Sequence, residues 1–95
     1  MLSNQHQNKN RLVLYRRRMQ FTQKQVARLL GHADTSMLSR YERGRSLPPL
    51  AMALRLEIIY RVPVAFLYGG MYEQLRDEVR AEEARDKTPR QRPLF

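Results

Sequence analysis

Residues 22–44 read TQKQVARLLGHADTSMLSRYERG, and this stretch decides the fold. Thr22 with Gln25 three positions on has the spacing of a capping box, in which each side chain satisfies a backbone amide at a helix start. A helix is therefore expected from Gln23. Val26, Ala27, Leu29 and Leu30 give it an apolar side, and Ala27 is small where a neighbouring helix must come close. Gly31 stands where the chain leaves that helix, and glycine accepts the left-handed backbone of a helix stop. Asp34 then offers a carboxylate oxygen to the free amides of a second helix. That helix is expected over residues 35–43, with Gly44 ending it. Leu38 and Tyr41 fall on its inner side. Thr35, Ser36, Met37, Ser39, Arg40 and Arg43 fall on the outer side, where two arginines stand among six residues.

Charge supplies a partner for that outer side. The 95-residue chain carries a net charge of +9. Residues 1–62 hold twelve basic and three acidic residues, a net of +9, and residues 63–95 hold six of each. All the excess positive charge thus sits around the helix pair. A polyanion is the natural partner, because neutralising phosphates releases condensed counterions. Double-stranded DNA fits best, with the second helix entering the major groove.

The same residues resemble a known family, the helix-turn-helix domains of the phage repressor and Cro type (the XRE family). The resemblance is carried by Arg16, Thr22, Gln23, Ala27, Gly31, Leu38, Ser39, Arg40, the run Glu42, Arg43, Gly44, and Pro48, and it spans residues 8–67. It implies an all-α, five-helix repressor-like bundle. One departure is an additional residue, His32 or Ala33, between the turn glycine and the second helix; a one-residue shift of that helix would rotate its contact face by ~100°. The resemblance implies a structural ion pair between Arg16 and Glu42 and a phosphate contact for Gln23, aided by the helix N-terminus. It also points to Met52, Ile59, Val64 and Tyr68 as candidates for a dimer contact.

On the chemistry of their side chains, Thr35, Ser36, Met37 and Arg40 are the candidates for base contacts. Arg40 can pair bidentately with guanine, and Met37 or Thr35 can touch a thymine methyl. Lys24, Ser39, Arg43 and Arg45 join Gln23 as candidates for phosphate contacts. His32, alone in the turn, is read as a surface or phosphate-adjacent histidine.

The rest of the chain is read outward from this centre. Residues 1–7 are expected to form a flexible arm, with Lys9 and Arg11 beside it for a minor groove. The DNA-binding domain is expected over residues 8–68. Its first helix spans residues 8–18, capped by Asn8 or Asn10 and apolar at Leu12, Tyr15 and Met19, with Phe21 plugging the core from the loop. After Pro48 and Pro49, a helix over residues 50–60 is expected to face the core with Leu50, Ala53, Leu54 and Ile58, three or four apart. Glu57 is expected to pair with Arg61 or to lie at a dimer contact. A short fifth helix follows Pro63. Gly69 and Gly70 are expected to break the chain before a further C-terminal helix over residues 71–86. Its thin apolar stripe of Met71, Leu75 and Val79 is expected to dock on the domain's own core. Opposite charges at Glu73 and Arg76, Asp77 and Arg80, Glu82 and Arg85, and Glu83 and Lys87 should lace its surface. Residues 87–95 are expected to be a disordered tail.

Other function classes fit poorly. The chain has no cysteine and two histidines, so neither a thiolate metal site nor a nucleophile with a base and an orienting partner is expected. No cofactor, metal or catalytic residue is expected. No apolar run approaches the ~20 residues of a membrane span, and the first residues lack a signal segment, so the expected place is a bacterial or phage-type cytoplasm. The expected function is a sequence-specific regulator of transcription, a repressor bound as a homodimer to a palindromic operator. The alternative is an antitoxin-like or other interaction module whose C-terminal extension holds a protein partner.

Overall fold

A computed structural model of the chain describes residues 8–86; the expected arm (1–7) and tail (87–95) lie outside them. The described chain is all-α. In order it forms α1 (Leu12–Arg18), α2 (Gln23–Leu29), α3 (Ser36–Glu42), α4 (Leu50–Tyr60), α5 (Val64–Leu67) and α6 (Gly69–Arg85). The first five make the bundle and α6 continues from it. No described helix is long and apolar enough to cross a membrane.

Local chemistry sets most boundaries. The capping box is present: Thr22 Oγ1 accepts from the Gln25 amide at 3.1 Å and the Thr22 amide donates to Gln25 Oε1 at 2.8 Å. Asp34 Oδ1 accepts from the Ser36 amide at 2.9 Å and so opens α3. Asn10 does the same for α1, accepting from the Leu12 amide at 3.0 Å. α1 therefore starts later than expected. Asn8 has another task. Its amide and its side-chain Nδ2 both donate to the Gly44 carbonyl, at 2.9 and 3.0 Å, while Asn10 Nδ2 donates to the Tyr41 carbonyl at 3.0 Å. The segment before α1 thus caps the free carbonyls at the end of α3. Gly44 has φ +75°, and a Cβ there would run into the Asn8 backbone.

One core unites the bundle. Leu12, Val26, Leu30, Leu38, Tyr41, Leu56, Tyr60, Leu67 and Tyr68 are buried together, with Tyr15, Met19, Phe21, Met52, Ile59, Val62, Val64 and Met71 packed around them. Each fully buried leucine contributes ~1.5–3 kcal/mol relative to an exposed one.

The second half corrects several expectations. α4 turns Ala53, Leu56 and Tyr60 to the core, not Leu50, Leu54 and Ile58; Leu50 is 75% and Ile58 73% exposed. Since α4 is apolar nearly all round, spacing alone did not choose its inner side. Of the dimer candidates, Tyr68 is buried in the core, while Met52, Ile59 and Val64 pack against it and stay partly exposed. Glu57 does not pair with Arg61: its Oε1 accepts from the Val64 amide at 2.9 Å and opens α5. Gly69 and Gly70 do not break the chain but form the first turn of α6. At Gly69 the Arg11 guanidinium lies in the space a Cβ would take, so a larger residue there would displace that flexible side chain. That guanidinium donates to the Phe66 carbonyl at 2.5 Å and lies 4.5 Å from the centre of the Phe66 ring. Arg11 is therefore engaged in the fold and is not held out beside an arm.

α6 does not dock on the core as expected. Met71 packs against it, but Tyr72, Leu75 and Val79 are about half exposed. Of the expected pairs the ion pair of Glu82 and Arg85 forms, and Arg80 pairs with Glu83 at 3.2 Å and Arg76 with Asp77 at 3.1 Å. The arginines at 76 and 80 thus choose different carboxylates from those expected. Such exposed pairs contribute little to stability.

Two outcomes follow. Gly44→Ala combines a left-handed backbone with a collision against Asn8, and should lower stability by more than ~1 kcal/mol in urea unfolding. Burial pushes the Tyr68 hydroxyl up to about 12 and moves Tyr60 in the same direction. Both phenols stay neutral in the folded chain above pH 10, where an unfolded chain ionises, so the unfolded state binds fewer protons and is favoured. Stability should hold up to about pH 10 and fall as pH rises towards 12, with tyrosinate absorbance appearing together with loss of helix.

Candidate nucleic-acid interface

The candidate interface is built on the outer side of α3. Leu38 and Tyr41 are buried at 0% and 2% exposure and fix the helix's rotation about its axis. With them inside, Ser36, Met37 and Arg40 are exposed and Thr35 and Ser39 half-buried. Thr35 lies one residue before the first turn of α3. In the turn before α3, Gly31 (φ +85°) is followed by His32, whose amide returns to the Ala27 carbonyl at 2.9 Å. His32 is not the open surface side chain expected. Its ring is half-buried and tilts against Tyr41 with centroids 6.4 Å apart, and its Nε2 finds no hydrogen-bond partner among the described residues. Asp34, beside it, has its carboxyl held below the usual range by the hydrogen bond from the Ser36 amide.

The Glu42 carboxylate organises the helices behind this face. Arg16 Nε from α1 donates to Oε2 at 2.7 Å and Nη2 reaches Oε1 at 3.4 Å. Gln23 Nε2, from the first turn of α2, donates to Oε1 at 2.7 Å. Arg16 Nη1 also donates to the Phe21 carbonyl at 3.3 Å, tying in the loop between α1 and α2. The two charged side chains are only 14% and 4% exposed, so the contact lies in a medium where ion pairing is strong and desolvation costly. The pair of Arg16 and Glu42 spans the distance from α1 to the end of α3. Gln23 was expected to meet phosphate; here one amide proton is spent on Glu42, and the second remains on the same nitrogen.

The other candidates surround this centre. Lys24, Arg43 and Arg45 are exposed. Arg40 Nε donates to Ser46 Oγ at 3.1 Å, which leaves its terminal nitrogens to project. Lys24 and Arg28 line a shallow groove together with Ala27, His32, Ala33 and Thr35. Two supports escaped the sequence reading. Ser46 as a brace for Arg40 was visible only as a polar residue six positions on. Arg55 from α4 reaches the Leu30 carbonyl at the end of α2, at 3.5 Å, and no local pattern marks that contact.

A helix-turn-helix family model matches residues 13–67, more than half of the chain. No curated protein and no solved structure gives a significant match.

Removal of the Glu42 carboxylate should leave Arg16 without its partner and Gln23 unanchored. Glu42→Ala is expected to cost ~3–5 kcal/mol in urea unfolding, more than alanine at an exposed pair such as Arg80 and Glu83.

Proposed function

The chain belongs to this helix-turn-helix family of DNA-binding transcriptional regulators, and we propose that it is a sequence-specific repressor that binds a palindromic operator as a dimer. The observation that carries this reading is the exposed side of α3, whose rotation is held from behind by Leu38, Tyr41 and the Glu42 contacts. A recognition surface has to be rigid before it meets base edges, because each side chain ordered on binding lowers affinity. In this reading Thr35, Ser36, Met37 and Arg40 meet bases. Arg40 is braced through Nε by Ser46, so its two terminal nitrogens can address guanine O6 and N7. Lys24, Ser39, Arg43 and Arg45 meet phosphates, and Gln23 gives a phosphate the proton that Glu42 does not take. Repression follows from occupying promoter DNA. Two copies would place their α3 helices ~34 Å apart, one turn of the duplex. The setting that fits is a bacterial or phage-infected cytoplasm.

A second reading, an antitoxin-like protein that holds a partner through α6, is favoured by the exposure of Tyr72, Leu75 and Val79 on that helix.

Selection from a random duplex pool should return inverted half-sites one helical turn apart; equal affinity for selected and unselected duplexes would remove sequence specificity. On the selected duplex, Arg43→Ala should weaken binding to all sequences alike and reduce the salt slope by about 1. Arg40→Ala should relax preference at one base pair, at a cost of ~1–3 kcal/mol.

A further inference from the structure

Two apolar stripes are left uncovered in the described chain, on different helices. The first is Leu50, Leu54 and Ile58 on α4, each about half to three-quarters exposed. At 100° per residue these three fall on the side of α4 turned away from Ala53, Leu56 and Tyr60, which face the core. A shallow groove lined by Glu57, Ile58, Arg61, Val62 and Pro63 continues the stripe at its end. The second is Tyr72, Leu75 and Val79 on α6, also about half exposed. Their i, i+3, i+7 spacing is that of a helix seam. The stripes match in length: the eight steps from Leu50 to Ile58 rise ~12 Å and the seven from Tyr72 to Val79 ~10 Å.

Their electrostatic surroundings are opposite. Residues 69–86, which contain α6, hold six acidic and three basic residues, a net of −3. The α4 stripe is bordered by the exposed Arg55 and Arg61, within a segment whose net charge is +9. Glu57, the acid of that helix, has an oxygen bound to the Val64 amide. One helix therefore offers an apolar row edged by Arg55, which also reaches the Leu30 carbonyl, by Arg61 and by the single carboxylate of Glu57, and the other an apolar row in a segment with twice as many acids as bases. Like-charge repulsion disfavours pairing two copies of α6 side by side, and charge complementarity favours α6 on α4.

The chain cannot satisfy itself in this way. α6 follows α5 across a single residue, Tyr68, which is buried in the core, and its first turn is pinned there by Gly69 against Arg11 and by Met71. The α4 stripe faces outward from that same core. We propose that the occupant is a second copy of this chain: α6 of each protomer lies on the Leu50, Leu54 and Ile58 face of its partner's α4, and the partner returns the contact. The two contacts are related by a two-fold axis and close the assembly at two copies. This deepens the dimer reading above and rests on it, by naming the surface that joins the two recognition helices.

The absence of cysteine from the chain makes the pairing directly readable. Leu54→Cys and Leu75→Cys chains, full length, are mixed without nucleic acid, oxidised, and analysed on non-reducing gels. The expected product is the mixed disulfide between position 54 of one chain and position 75 of the other, exceeding both homodisulfides. In sedimentation, Ile58→Glu and Leu75→Glu should each raise the dimer dissociation constant by about tenfold or more while helix content stays that of the unsubstituted chain. Mixing these two variants should restore a dimer in part, because α6 of the Ile58→Glu chain can still lie on the intact α4 of the Leu75→Glu chain. A dominant 75-to-75 or 54-to-54 disulfide, no restoration on mixing, or an unsubstituted chain that stays monomeric at every concentration would each overturn the proposal. A monomer that still prefers a selected half-site over random duplex would overturn this interface and leave sequence-specific binding standing; a dimer of this geometry with no duplex preference would do the reverse.

Discussion

The rest of the structure depends on one carboxylate. Glu42 sits at the end of α3 with its side chain 4% exposed and receives Arg16 from α1 and Gln23 from α2. A charge so far from water is costly unless its oxygens are filled, and here both are. Three helices that already share the apolar core of Leu12, Val26, Leu30, Leu38 and Tyr41 are thereby fixed in angle as well as in distance. Apolar packing alone tolerates small slides and rotations; a forked guanidinium and an amide converging on one carboxylate do not. The surface that benefits is the opposite side of α3, where rotation by one residue would exchange the exposed arginines for core side chains.

The two ends of α3 are tied down by different means. At its start the Asp34 carboxylate takes the Ser36 amide. At its end Asn8 and Asn10 reach over from before α1 to cover the carbonyls of Gly44 and Tyr41. These contacts leave few unpaired backbone groups on a helix only seven residues long, which would be marginal by itself. α3 is thus held by its neighbours more than by its own propensity, consistent with its short polar side chains at 35, 36 and 39. Lys24 on α2 and Arg43 and Arg45 in the loop after α3 are exposed and add positive charge to its surroundings.

Charge also divides the molecule. The bundle carries the cations and α6 the carboxylates, so a polyanion is drawn to one part and repelled by the other. The uncovered apolar rows on α4 and α6 and the polar, cationic outer side of α3 thus stand on different helices.

The sequence by itself determined whatever is written within a few residues. The capping box at Thr22 and the Asp34 cap are local chemistry, in which a side chain meets a backbone group two or three positions away; the turns at Gly31 and Gly44 follow from glycine's backbone freedom, and the inward Leu38 and Tyr41 from helical spacing. The outer residues of α3 followed from the same periodicity, and the family resemblance supplied the partnership of Arg16 and Glu42, 26 positions apart. Tertiary structure alone decided the rest. α4 carries aliphatic residues on every side, so only the shape of the cavity left by α1, α3 and α5 could select Leu56 and Tyr60 over Leu54 and Ile58. Glu57 became the cap of α5, Asn8 the cap of α3 and Arg11 the neighbour of Gly69 because folding brought them there. Gly69 and Gly70, breakers by propensity, begin a helix because the buried Tyr68 and Met71 hold that turn in place. Propensity and spacing act along the chain, whereas burial is a property of what stands opposite, and that is known only once the helices have packed.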